Sequence, residues 1–185
     1  MKVLTIDISA HFGFSLVDDQ TGQIFDSGTW ELKTPSKADK YAKLPVLREC
    51  LNQLYAQHGD IGRVVYEDVE FSTTQLAHAS YSRLLAVCLL WAIDTKLPYS
   101  GIEVAAIKKH VTGAGNADKE AVMAAMRVRY PQITLIDDNH ADALAICACV
   151  TDKFDLAAPT LKAMRKQAKR VKSAKKNAKA ALAVA

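Results

Sequence analysis

Apolar and polar positions alternate over short runs at the start of the chain and take helical spacing further on. Lys2 to Ile8 is short and β-rich, with Val3, Leu4 and Ile6 apolar, and reads as a strand. Phe12 to Val17 reads as a second strand and Ile24 to Leu32 as a third, with turn chemistry at Asp18-Asp19-Gln20-Thr21-Gly22. Three consecutive strands on short links predict an antiparallel meander. Thr34-Pro35-Ser36 opens a polar loop. A helix follows from about 37 to 57, with Leu44, Leu47, Leu51 and Leu54 three or four apart and His58-Gly59 at its end.

Arg63 to Glu67 reads as a fourth strand that runs into Asp68-Val69-Glu70-Phe71, and Ser72 to Ser80 as a polar loop. Tyr81 to Leu97 is a helix apolar on nearly every side, which marks a central core helix or one used at a dimer interface. Pro98 stops it, and Tyr99 to Val104 gives a fifth strand. Ala105 to Val111 is a short helix, and a small-residue loop leads into a helix from about 117 to 129, ended before Pro131. The last helix of the body opens at Asp137-Asp138 and runs to about Thr151. The order βββαβαβααα predicts an α/β fold with a mixed five-stranded sheet flanked by helices.

A chain of 185 residues, half of them apolar and 24% charged, is long enough for one sizeable core. The net charge of +4 hides an asymmetry. From Thr160 onward there are nine Lys/Arg and no acid, which leaves residues 1–159 with 15 basic and 20 acidic side chains. The division is therefore a body over 1–157 and a basic Ala/Lys tail over 158–185, whose partner is expected to be a polyanion. No stretch of 18 uninterrupted apolar residues occurs, and the N-terminus acquires a charge too early for a signal peptide. Cys50, Cys88, Cys147 and Cys149 lie in apolar contexts without C-x-x-C pairing, as reduced core residues do. These features point to a cytoplasmic protein with no membrane partner and no zinc site.

Two predicted strands end on acids, Asp7 and Glu67, and two more acids, Asp138 and Asp142, lie four apart on the first turn of the last helix. Four apart is one helix face. Asp137 or Asp138 as an N-cap and Asp142 as a solvated first-turn residue is the simpler alternative. If the first and fourth strands are adjacent and parallel, Asp7 and Glu67 lie side by side, and a helix docked across them brings in the other two. Such a group repels itself unless cations bind it. All-oxygen ligands select Mg²⁺, with Mn²⁺ as substitute, and two ions per site suit phosphodiester cleavage.

The chain resembles the RuvC-type Holliday junction resolvases of the RNase H-like superfamily. The matching pieces are Leu4-Thr5-Ile6-Asp7, Glu67, the segment Thr112-Gly113-Ala114-Gly115-Asn116-Ala117-Asp118-Lys119, and the ending His140-Ala141-Asp142-Ala143-Leu144-Ala145-Ile146. The order of elements matches over roughly residues 1–150. The resemblance implies an RNase H-like fold and a Mg²⁺-dependent homodimer. Such an enzyme resolves four-way DNA junctions by paired symmetric nicks, with 5′-phosphate and 3′-hydroxyl ends, in recombination, repair or phage DNA processing. Asp7, Glu67, Asp138 and Asp142 would be the metal ligands. Lys119, at a helix N-terminus, would join them in catalysis and hold DNA backbone. Phe71 would stack at the crossover, and Lys108 and Lys109 would meet phosphates. Lys162, Arg165, Lys166, Lys169 and Arg170 would form a DNA-binding arm.

The chain departs from the family in two places. Asp7 is followed by Ile8-Ser9-Ala10-His11 rather than Pro-Gly. The family's ligand three residues before the last Asp falls on Asn139, so Asp138 is taken as its substitute, with Asn139 and His140 as alternatives. Other readings are a nuclease of the same fold acting on flaps, branched DNA or RNA–DNA hybrids, and a junction-binding protein without catalysis.

Overall fold

The computed structural model of the chain describes residues 1–9, 11–33, 39, 41–70 and 74–153. Its elements run β1 (Lys2–Asp7), β2 (His11–Asp18), β3 (Ile24–Glu31), α1 (Lys43–His58), β4 (Ile61–Asp68), α2 (Gln75–Asp94), β5 (Tyr99–Glu103), α3 (Val104–Thr112), α4 (Lys119–Arg129) and α5 (Asp138–Thr151). The strands form one sheet in the order β3-β2-β1-β4-β5. β1, β2 and β3 are antiparallel neighbours, whereas β1, β4 and β5 run parallel. This is the mixed sheet that the hydrophobic pattern predicts.

Strand alternation sorts each strand between two cores. Leu4, Ile6, Phe12, Phe14, Leu16 and Val64 face α1 and α2, where they meet Leu47, Leu51, Leu54, Leu84, Cys88 and Trp91. Val3, Val17, Val65 and Ile102 face the other way, into Ile107, Val122, Met126, Leu144 and Ile146 of α3, α4 and α5. The sheet is thus the middle of three layers. On β1 the α5-facing set is Val3, Thr5 and Asp7, and on β4 it is Val65 and Glu67, so period two alone puts both strand-end acids on the α5 side.

Three boundaries of the first two helices differ from the sequence pattern. α1 starts at Lys43 rather than near 37; residues 37, 38 and 40 lie outside the described set. Pro45 then falls in the first turn, where its missing N–H is harmless, instead of in the interior, where it would break the ladder. α2 starts at Gln75, six residues before Tyr81, because the Thr74 side chain accepts from the Ala77 N–H and caps it. Its first two turns carry mostly exposed residues, so they lack the apolar period that marks the rest. α2 also ends at Asp94, before Pro98. Lys96 takes a left-handed φ of 59°, while the N–H of Leu97 reaches Ala92 O at 2.8 Å and that of Lys96 reaches Ile93 O at 3.0 Å. This is a Schellman stop with lysine where glycine is usual.

Candidate active site

Asp7 ends β1 and Glu67 lies near the end of β4, and the parallel register Thr5↔Val65, Ile6↔Tyr66 sets them side by side. Asp7 is only 5% exposed. It donates a hydrogen bond to Glu67, and burial together with the negative neighbours Glu67, Asp142 and Asp138 holds its pKa well above the ordinary carboxylate range. Burial, then Asp142, pushes Glu67 up to about 7. Burial pushes Asp142 up to about 6, with Asp138 adding to the shift and Lys108 and Lys119 opposing it. Two strands and one helix therefore bring mutually repelling acids within electrostatic reach of one another, and the raised pKa values of Asp7 and Glu67 let protonation relieve part of the repulsion.

α5 reaches this spot because β2 lets it. Gly13 is the β2 residue paired with Asp7. A Cβ on Gly13 would lie 2.0 Å from the carbonyl oxygen of Asn139, so only glycine admits the first turn of α5 against the sheet. Polar links complete the attachment. Thr5 Oγ1 donates to Ala143 O at 2.9 Å, next to Asp142. Asp137 caps α5 by accepting from the His140 N–H at 2.8 Å and also accepts from Thr29 Oγ1 on β3 at 2.7 Å. Ser9 Oγ lies 2.8 Å from Asn139 Oδ1 and 2.5 Å from His11 O. On the α2 side, Tyr81 donates to Glu67 O at 2.8 Å and accepts from the Val69 N–H at 3.1 Å, gripping the end of β4. Gly13, Thr29 and Tyr81 are supports that the sequence reading passed over. The Phe12-Gly13-Phe14 run carried a signal, since glycine inside a strand pattern marks close backbone approach.

Asp138 lies at the rim, its side chain 29% exposed and ion-paired with Lys119, the first residue of α4. That ammonium holds the Asp138 carboxyl below the ordinary range. Asn139 turns to Ser9 instead of to the acids. His140, the third alternative, is 1% exposed, with its Nδ1 accepting from the Ile136 N–H at 3.3 Å; burial lowers its pKa, so it stays a neutral part of the core. Lys108 Nζ donates to Ala117 O at 2.8 Å, which ties α3 to the loop before α4, and its charge is felt by Glu67 and Asp142. Lys109 is exposed, about 100° round the helix from Lys108. Phe71, Lys162, Arg165, Lys166, Lys169 and Arg170 lie outside the described residues.

Among the described residues, no three acids or histidines close on one point as a formed metal site. The donor set nonetheless fits a hard divalent cation. It is oxygen-only, three of its acids, Asp7 buried and Glu67 and Asp142 half-buried, have raised pKa values, and its fourth is already charge-balanced by an ammonium.

A family model described as crossover junction endodeoxyribonuclease RuvC matches residues 3–150. The chain is similar to the crossover junction endodeoxyribonuclease RuvC of Sphingopyxis alaskensis, 29% identical over 154 residues, which are 80% of this chain and 96% of that one. It is also similar to that of Syntrophotalea carbinolica, 22% identical over 157 residues, 84% of this chain and 97% of the other. Among solved structures, Thermus thermophilus RuvC in complex with Holliday junction substrate matches with a TM-score of 0.68 at 21% identity, over 83% of this chain and 93% of that chain. The yeast mitochondrial Holliday junction resolvase matches with 0.57 at 11%, over 82% and 80%. The fold is thus the RNase H-like one expected from the sequence. With a family match that spans every element from β1 to α5, the chain belongs to the RuvC family of crossover junction endodeoxyribonucleases and is a DNA endonuclease.

Proposed function

We propose that the protein resolves four-way DNA junctions by paired symmetric nicks, with Asp7, Glu67, Asp138 and Asp142 holding two Mg²⁺ ions. The observation that carries this reading is that Asp7 and Glu67, at the ends of the paired strands β1 and β4, and Asp142 of α5 come close enough for burial and mutual repulsion to raise all three pKa values, with Asp138 beside them at the rim. Mg²⁺, for which Mn²⁺ substitutes, supplies activation of water and stabilisation of the leaving oxygen. The chain's own groups do the rest. Asp7 and Glu67 give up their protons as the site ionises. Lys108 and Lys119 offset the acids' charge and face the incoming phosphodiester. Water would attack the phosphorus without a covalent enzyme intermediate and the P–O3′ bond would break, the 3′-oxygen leaving and taking up a proton, which gives 5′-phosphate and 3′-hydroxyl ends.

A four-way junction has two strands to cut, so two sites are needed, and a homodimer provides them. α2 offers the seam. Leu76, Ala79, Arg83, Ala86, Leu90 and Ile93 recur at alternating three- and four-residue spacing, which is the stripe of a two-helix contact. Leu76, Leu90 and Ile93 are 76%, 56% and 54% exposed. α2 is also long and apolar enough by length and composition to cross a membrane. Its other face, Tyr81, Leu84, Cys88 and Trp91, is buried against the sheet and α1, which favours a protein partner on the exposed side. The basic residues after Pro159 are read as a nonspecific DNA arm, and the cytoplasm as the location.

The test is cleavage of a labelled synthetic four-way junction with Mg²⁺, beside linear duplex, flap and hybrid controls, by wild type and Asp142→Asn. The expected result is paired nicks on the junction alone, lost in the variant with binding kept. Equal cutting of flaps or hybrids would replace the resolvase reading with that of a broader nuclease.

A further inference from the structure

One of the four carboxylates is treated differently from the rest. Asp7, Glu67 and Asp142 are packed between sheet and helix, with no lysine or arginine in hydrogen-bond contact among the described residues. Asp138 stands at the rim with the Lys119 ammonium on it. Lys119 is held by little else. Its side chain is 71% exposed, and its backbone begins an 11-residue helix whose N-cap, Asp118, accepts from the Ala121 N–H at 2.8 Å. An ion pair this exposed is weak. A small divalent cation with a hard preference for oxygen competes for the same carboxylate with twice the charge. The displaced ammonium would stay tethered at a helix N-terminus, where backbone N–H groups and a positive charge suit a phosphate.

We propose that Lys119 is an exchangeable counter-ion. It neutralises Asp138 in the cation-free protein, a divalent cation entering the cluster displaces it, and only then does it take a DNA phosphate. The proposal rests on the reading of the four acids as a cation site. Its consequence is an order of assembly: cation first, lysine–phosphate contact second. A lysine that simply binds DNA would contribute equally with and without the cation. One that merely repels the cation through space would do so whether or not residue 138 is charged.

The test is a double-mutant cycle on cation affinity without DNA. Mn²⁺ binding is measured by calorimetry for wild type, Lys119→Met, Asp138→Asn and the double variant, with circular dichroism as the check on folding. Exchange predicts that Lys119→Met tightens Mn²⁺ by roughly two- to fivefold, and that this gain disappears when Asp138 is asparagine. An equal gain in both backgrounds, or no gain in either, overturns the proposal. Failure of the wild type to bind Mn²⁺ at all would instead remove the cation-site reading itself. A second arm follows junction binding by fluorescence anisotropy in Ca²⁺ and in EDTA. Lys119→Met should weaken binding in Ca²⁺ and leave it unchanged in EDTA, and should weaken both equally in the Asp138→Asn background. Equal loss in Ca²⁺ and EDTA with Asp138 intact overturns the proposal.

Discussion

Replacing Glu67 with glutamine should stabilise the cation-free protein while abolishing cleavage. Glu67 is pushed from an ordinary 4.5 up to about 7 by burial and by Asp142. At about 1.4 kcal/mol per pH unit, ionising it in the folded state above that pH costs about 3 kcal/mol. The sign follows from proton counting. Between about pH 4.5 and 7 the folded chain holds the Glu67 proton and the unfolded chain has released it, so stability falls as pH rises through that window. Glutamine has nearly the same shape and still accepts the hydrogen bond that Asp7 donates, but it does not ionise. In urea denaturation with EDTA at equal protein concentration, Glu67→Gln should therefore be more stable than wild type by about 1–3 kcal/mol near pH 7.5, the lower end allowing for coupling to Asp7 and Asp142. Near pH 4 the two should agree to within about 0.5 kcal/mol. Adding Mg²⁺ should narrow the gap, because under the proposed function it would bind the folded wild type more tightly than the variant. A variant no more stable than wild type near pH 7.5, or one with the same advantage near pH 4, would refute the claim that electrostatic strain at this carboxylate opposes folding.

Gly13→Ala should cost about 1–3 kcal/mol in urea denaturation, since the new methyl group meets the Asn139 carbonyl and pushes α5 off the sheet; junction cleavage should fall further than stability alone explains. Leu90→Glu combined with Ile93→Glu should yield a monomer in sedimentation velocity with unchanged circular dichroism, as both side chains are exposed on α2. A chain truncated after Pro159 loses nine basic residues. It should bind junctions more weakly and with a shallower salt dependence, while its cleavage rate at saturation stays the same.

The positions of Asp7 and Glu67 were legible because strand alternation and the parallel pairing of β1 with β4 are written in runs of Val, Leu and Ile. What lay beyond the sequence was how α5 is brought to them. That depends on Gly13, whose role appears only when the Asn139 carbonyl is seen lying where its side chain would be. It also depends on Thr29, on a strand separated from α5 by more than 100 residues of chain yet bonded to Asp137. The same limit explains α2. Its start is set by a single threonine cap and its end by a left-handed lysine, neither of which leaves a periodic trace. The choice between Asp138 and Asn139 was open because both lie on the face of Asp142. Two neighbours separate them: Lys119 draws Asp138, and Ser9, at the place where the family has Pro-Gly, draws Asn139.

These assignments bear on how a site of like charges persists in a folded chain. The frame around it is over-determined: α5 is held by a cap, a bond from Thr29, a bond from Thr5 and the gap left by Gly13. The acids cannot move apart to relieve their repulsion, so they relieve it by protonation, at Asp7 and Glu67, or by pairing, at Asp138. Both forms of relief are reversible, and under the proposed function both would give way to a divalent cation, which offers more charge at closer range. Rigidity of the support would then be what turns electrostatic strain into cation affinity. A change that loosens α5 should weaken Mn²⁺ binding even where no acid is touched, which calorimetry on Thr29→Val can check.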